Sequence, residues 1–173
     1  MSELTFVDAN ILVYARDSEA TQKQKTAMRC LQFLWQERTG RISVQVLSEY
    51  YVALTRKLKP GLDADDAWDD VQALMSWDPQ PIDGELLKLA RQIERRYITS
   101  WWDAMIVAAS EIQSCTILLS EDFQHGMVFG QVRVHNPFLA RVEDIASAYQ
   151  VPVARARHRH RGRPLSRGSA PAQ

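Results

Sequence analysis

The chain has 173 residues, 46% of them hydrophobic and 24% charged, with 21 Lys+Arg against 21 Asp+Glu. That length supports one domain whose core needs no metal or disulfide staple, and the composition excludes a disordered or fibrous protein. With no apolar run near the ~20 residues of a membrane span, no signal-peptide pattern in MSELTFVDAN and only two cysteines, Cys30 and Cys115, the expected setting is the cytoplasm, away from membranes.

Leu4-Thr5-Phe6-Val7 is a short apolar run that stops at Asp8, which predicts a buried strand with Asp8 at its carboxyl end. Asn10-Ile11-Leu12-Val13-Tyr14 then opens a helix or helical turn. Ala27, Cys30, Leu31, Leu34 and Trp35 recur at helical spacing and predict a helix over 19–35, ended by Gly40. Ile42-Ser43-Val44 offers a second short strand. Residues 46–58 read as helical, with Leu47, Tyr50, Tyr51, Leu54 and Leu58 on one stripe, and Lys59-Pro60-Gly61 stops them.

Asp63 is placed to cap the next helix, which carries Ala67, Trp68, Val71, Leu74 and Met75. Pro79 and Pro81 bracket a break in which Gln80-Pro81-Ile82 reads as a very short edge strand. Asp83 caps a helix bearing Leu86, Leu87, Leu89, Ala90 and Ile93. Another helix runs from Ser100, with Trp102, Met105, Ile106, Ala109 and Ile112 as its apolar stripe; Trp101 is left to cover the sheet or to stack on a base. Thr116–Leu119 is a further buried strand, Gln131–Val134 the last, and 137–149 a final helical segment. The alternation predicts an α/β fold in three layers, α/β/α, around a central, mostly parallel sheet of four to five strands.

Residues 151–173 carry six arginines and no acid, which leaves 15 basic against 21 acidic residues in 1–150, a body of net charge −6. The prolines and glycines of that tail, with almost no apolar periodicity, predict a flexible Arg-rich extension, 151–173, on a domain spanning 1–150. Such a tail either tethers RNA nonspecifically or is merely solubilising.

Two apolar strands run into carboxylates, Asp8 in one case and Glu121-Asp122 in the other. In α/β sheets, binding sites form outside the carboxyl ends of strands, where strand order reverses. Glu49 and Asp103 are each embedded in an apolar helical stretch, which is costly for a charge that is neither paired nor bound to a metal. Each acid alone has a plain reading: Asp8 as a helix cap, Glu49 as a solvated side chain, Asp103 as a helix-start acid, Asp122 in a turn. Gathered at one rim they would repel one another, and Mg2+ or Mn2+, which prefer oxygen ligands, would offset that repulsion. The spacing of Cys and His offers nothing for zinc. Arg16, Lys23, Lys25, Arg56, Lys57, Arg95 and Arg96 are candidate phosphate contacts, each individually better read as a solvated helix residue. His125 and His135 lack a nucleophile partner and read as loop or strand-end residues.

Phe6-Val7-Asp8-Ala9-Asn10-Ile11-Leu12-Val13-Tyr14 resembles the opening motif of PIN-domain nucleases, a strand followed by Asp-x-Asn. Ser48-Glu49, Trp102-Asp103-Ala104-Met105 and Leu118-Leu119-Ser120-Glu121-Asp122-Phe123 are similar to the family's later acidic motifs, in the same order, over about residues 4–140. The small size and Ser-Glu-Asp-Phe-Gln-His-Gly look most like the VapC-type toxins of toxin–antitoxin pairs. The resemblance implies a metal-dependent endoribonuclease, a homodimer, and a small antitoxin as cognate partner. It carries metal and catalytic roles onto Asp8, Glu49, Asp103 and Asp122, with Asn10 and Ser120 as supporting polar residues and the adjacent Glu121 as a possible substitute ligand. Asp8, Asp103 and Asp122 would hold Mg2+ or Mn2+, and Glu49 would hold or deprotonate the attacking water.

Other classes compete with this reading. A phosphoacceptor domain would want a second acid beside Asp8 and a Lys after a late strand, and neither is present. A non-catalytic RNA-binding module would not need all four acids. A PIN nuclease of RNA processing, outside any toxin–antitoxin pair, shares every motif.

Overall fold

The computed structural model describes residues 3–139. The tail at 151–173, the boundary near 150 and most of the segment at 137–149 lie outside those residues; 137–139 form a turn.

Five strands form one sheet: β1 (Thr5–Val7), β2 (Gly40–Arg41), β3 (Ile117–Leu119), β4 (Val128–Phe129) and β5 (Val132–His135), in the order β2-β1-β3-β5-β4. All neighbours are parallel except β4 and β5, which form a hairpin. The chain leaves β1 for β2 on one side and returns to β3 on the other. The strand order therefore reverses between β1 and β3, the place where open α/β sheets leave a crevice. The register sets Val7 opposite Leu119 and Leu119 opposite His135. The residues after β1 and β3 consequently emerge side by side.

Among the described residues, six α-helices surround the sheet: α1 (Ala9–Arg16), α2 (Thr21–Glu37), α3 (Val44–Val52), α4 (Ala64–Leu74), α5 (Gly84–Tyr97) and α6 (Trp101–Ile112). α1 packs on α2 and α3, and α3 on α4; α5 packs on α6, which lies against β3 and β5. The helices thus fall into two packed groups, α1–α4 and α5–α6, as the two covering layers of a mostly parallel sheet require, giving the expected three layers. Side-chain caps mark most helix starts: Asp63, Asp83 and Ser100 each accept a backbone N–H of the helix they precede. The core is apolar, with Phe6, Ile11, Leu34, Val46, Leu54, Leu118, Leu119 and Phe129 all fully buried. Cys30 and Cys115 are buried free thiols, and burial raises the pKa of both, to about 11 and about 12. No helix among the described residues is long and apolar enough to cross a membrane.

The structure departs from the sequence expectations at identifiable places. Helix α2 ends at Arg38, which adopts the left-handed conformation itself (φ 57°) and donates its N–H to the Leu34 carbonyl; Gly40 is a strand residue. There the indole of Trp77 lies 2.7 Å from where a Cβ would stand. The second strand comes at Gly40–Arg41 and not at 42–44, because the Ser43 hydroxyl accepts the Val46 N–H and commits Val44 to α3. Gln80 pairs with Ser43 in a single parallel bridge, the remnant of the expected edge strand. β4, two residues long, has too little pattern to be read from sequence. From Ala53 to Lys57, α3 continues as a π-helical turn.

Candidate active site

Asp8 follows β1 directly and caps α1, its Oδ1 accepting the Ala9 N–H at 2.7 Å. Its backbone N–H donates to the Leu119 carbonyl at 3.0 Å, extending the β1–β3 ladder by one rung. That rung places Asp8 beside Ser120. The Ser120 hydroxyl donates to Asp8 Oδ2 at 2.6 Å and accepts the Asp122 N–H at 3.1 Å. Asn10 Nδ2 lies within reach of three oxygens: Asp8 Oδ2 at 3.1 Å, Asp122 Oδ2 at 3.1 Å and Ser120 Oγ at 3.2 Å. Asn10 Oδ1 in turn accepts the Glu121 N–H at 3.4 Å. Four residues from two strand ends, Asp8, Asn10, Ser120 and Asp122, thus form one connected network.

Asp8 is 6% exposed, and its pKa is pushed up to about 6. Burial is the main cause. Hydrogen bonds from Ser120 and Ala9 oppose it, and the neighbouring charges of Asp122 and Glu49 push the same way as burial. Glu49 is therefore close enough to be felt electrostatically, although it lies 41 positions along the chain on α3. It is exposed rather than embedded, and only Asp8 among the four acids is deeply buried.

Gln45, one turn before Glu49 on α3, is buried and donates from Nε2 to Glu49 Oε1 at 2.9 Å and to the Trp102 carbonyl at 3.4 Å. A single amide thus joins the Glu49 carboxylate to the first turn of α6. Asp103 sits in that turn, its N–H donated to the Ser100 hydroxyl at 3.1 Å. Asp103 is half-buried, and its carboxylate makes no hydrogen bond or ion pair among the described residues. It joins the others only through α6.

Glu121 points elsewhere. Its carboxylate accepts the Tyr14 hydroxyl and pairs with Lys23 Nζ at 2.6 Å, and Lys23 also reaches the Tyr14 oxygen at 3.0 Å. The ammonium lies 4.4 Å from the Tyr14 ring centroid, with the Phe138 ring packed edge-on against Tyr14. Glu121 raises the pKa of both partners.

Among the described residues, no three Asp, Glu, His or Cys side chains stand close enough together to hold a metal ion between them. The donor set nonetheless suits a hard divalent cation: every candidate ligand is a carboxylate oxygen, and the like charges at Asp8 are offset by three neutral donors, the Ala9 N–H, the Asn10 amide and the Ser120 hydroxyl.

A cleft of about 820 Å³ opens beside these acids, with Asn10, Gln45 and Glu49 at its edge and Val13, Val52 and Ile82 along its walls. Trp102 lines it and is 62% exposed, which reverses the sequence expectation that Trp102 belongs to the core stripe. Helical side chains lean towards the N-terminus, so one in the first turn projects past the helix end; burial in α6 begins at Ala104. Of the candidate cations, Arg16 pairs with Asp70, Lys23 with Glu121, and Lys57 lines the cleft. The sequence reading missed Gln45, whose spacing of four from Glu49 was a usable signal. Tyr14 and Lys23 gave none, because their partner lies about a hundred residues away.

A family model described as the PIN domain matches residues 5–126. The fold is similar to that of a toxin–antitoxin complex from Klebsiella pneumoniae, at 16% sequence identity and a TM-score of 0.56, over 77% of this chain and 97% of that one. It is also similar to VapBC2 from Rickettsia felis bound to a DNA fragment from their promoter, at 11% identity and a TM-score of 0.54, over 77% and 98% of the two chains. At such identities the likeness is one of fold. No curated protein matches the chain.

Proposed function

The chain belongs to the PIN-domain family of nucleases, and we propose that it is a divalent-metal-dependent endoribonuclease serving as the toxin of a toxin–antitoxin pair. The observation that carries the nuclease reading is the Asp8 network: a buried carboxylate, its pKa raised to about 6, hydrogen-bonded to Ser120 and Asn10 and within electrostatic reach of Asp122 and Glu49. A site that stores like charge in this way gains most from a bound cation.

In this reading Asp8, Asp103 and Asp122 hold Mg2+ or Mn2+, and Glu49 orients the attacking water and accepts its proton. Bound there, the cation would make water a better nucleophile and neutralise charge on the phosphodiester. Asn10 and Ser120 keep the Asp8 and Asp122 carboxylates turned towards a common point. Gln45 fixes the rotamer of Glu49. Glu121, already engaged by Tyr14 and Lys23, is left out of the ligand set. The attack leaves 5′-phosphate and 3′-hydroxyl ends.

The toxin assignment is supported by the two structural relatives, a toxin–antitoxin complex and the VapBC2 assembly. It implies a small antitoxin protein as inhibitor and a homodimeric toxin. The deciding experiment incubates the full chain with a pool of structured RNAs, in Mg2+, in Mn2+ and in chelator, beside Asp8→Ala, and sequences the fragment ends. Metal-dependent cuts that vanish in the variant are expected. Cutting by Asp8→Ala at the parental rate would remove the site assignment.

A further inference from the structure

We propose that the cleft beside the carboxylates is a nucleobase subsite, in which the Trp102 indole stacks on a base flanking the scissile phosphate and Lys57 meets the next backbone phosphate. The proposal rests on the ribonuclease reading and names how that site grips single-stranded RNA.

Three observations converge. First, the cleft adjoins the acidic network: Asn10 belongs to both, and Glu49, whose charge is felt at Asp8, lines the cleft. A strand whose phosphate lies at Asp8 and Glu49 runs into the cleft with its neighbouring nucleotide. Second, the walls are apolar and open to water. Val52 is 40% exposed, Ile82 48% and Trp102 62%, on three separate elements that face one space. An indole left in water at the end of an otherwise buried helix is a stacking platform without a partner, and every base presents a π-face to it. Its backbone is anchored, since the Trp102 carbonyl accepts from Gln45.

Third, the charge pattern fits a nucleotide better than an apolar peptide. Lys57 lines the cleft beyond Ala53 and makes no ion pair among the described residues. It is brought there by the π-helical turn Ala53–Lys57. In an α-helix a spacing of four overshoots one turn, so residues 49, 53 and 57 would drift around the axis; the wider π turn undershoots and brings Lys57 back to the side of Glu49. The cleft is lined by the Glu49 and Asp17 carboxylates, the Trp102 indole and the Lys57 ammonium, so it offers a nucleotide acids for a metal, an aromatic face for a base and a cation for a phosphate. The volume lies in the range of small-ligand sites.

The test measures affinity by fluorescence anisotropy of the full chain for two labelled strands of equal length, a single-stranded RNA and an abasic phosphodiester strand, in chelator so that neither is cut. Wild type should prefer the RNA. Trp102→Ala should weaken RNA binding roughly tenfold and leave the abasic strand unaffected, whereas Trp102→Phe should stay within about threefold of wild type. Lys57→Gln should weaken both strands alike and lower the salt dependence. An unchanged melting temperature confirms that Trp102→Ala is folded. If Trp102→Ala keeps the wild-type ratio between the two strands, the subsite is overturned, while metal-dependent RNA cleavage by wild type leaves the nuclease reading standing. Loss of binding to a protein partner with RNA affinity intact would likewise overturn it in favour of a protein interface. If wild type neither cuts nor binds any RNA, both readings fall.

Discussion

The Ser120 hydroxyl donates a 2.6 Å hydrogen bond to Asp8 Oδ2, joining two residues 112 positions apart that each follow the last residue of neighbouring parallel strands. The bond favours the charged form of a carboxyl that burial would otherwise keep protonated. Asp8 is thereby held near the point where small changes in surroundings decide its charge.

Burial holds Asp8 at about 6 against an ordinary value of 3.8. The folded chain therefore binds this proton more tightly than the unfolded one, so the carboxyl's contribution to stability is complete below about pH 4 and is lost as pH rises through 6. The amount is about 3 kcal/mol. In chelator, the melting temperature of wild type relative to Asp8→Asn should fall between pH 4 and 7, and a divalent cation should restore wild type alone. Parallel melting profiles for the two proteins across that range would contradict the assignment.

Ser120→Ala removes the side-chain donor that lowers the Asp8 pKa, so Asp8 should titrate higher still. The acidic limb of the cleavage pH profile should move to higher pH, accompanied by a stability loss of about 1–3 kcal/mol for the broken buried bonds. A rate profile superimposable on wild type refutes the coupling.

Gln45 acts through Glu49 and through the first turn of α6. Gln45→Ala frees a carboxylate that was held by one charge-assisted bond, and single-turnover cleavage should slow on the order of tenfold. The KM for RNA should change little. A loss confined to KM would assign Gln45 to binding instead.

Glu121 and Asp122 are adjacent in sequence but face different partners. Asp122→Asn should reduce cleavage at least a hundredfold, while Glu121→Gln should retain it and cost under about 1 kcal/mol, since the Lys23 pair is partly exposed. The reverse ranking in a cleavage assay would make Glu121 the ligand.

Gly40→Ala places a methyl 2.7 Å from the ring atoms of Trp77, which is itself buried and packed on Trp35. Overpacking of this kind should cost about 2 kcal/mol and lower the melting temperature by roughly 5 °C. No shift in a thermal melt would mean that the indole moves aside freely.

Most elements were legible because local patterns specify them. The stop of Leu4–Val7 at Asp8, the caps Asp63, Asp83 and Ser100, and the stripe Met105-Ile106-Ala109 each concern residues within a turn or two of one another, where sequence and conformation are directly coupled. Failures came where a contact from outside overruled the local signal. Gly40 has the composition of a helix stop, yet it is required by Trp77, 37 residues later. Trp102 fits a helical stripe, yet the helix has only begun at that point and its indole overhangs the cleft.

The amino-acid order by itself determined the α/β class, the succession of elements and which carboxylates stand at strand ends, since these follow from periodicity and from where apolar runs stop. Only the folded chain decided which of those carboxylates share an environment. Asp8 meets Ser120, Asn10 and Asp122, Glu121 turns to Lys23, and Glu49 is tied to α6 by Gln45 because the β1–β3 register and the packing of α3 set distances that spacing along a chain does not encode.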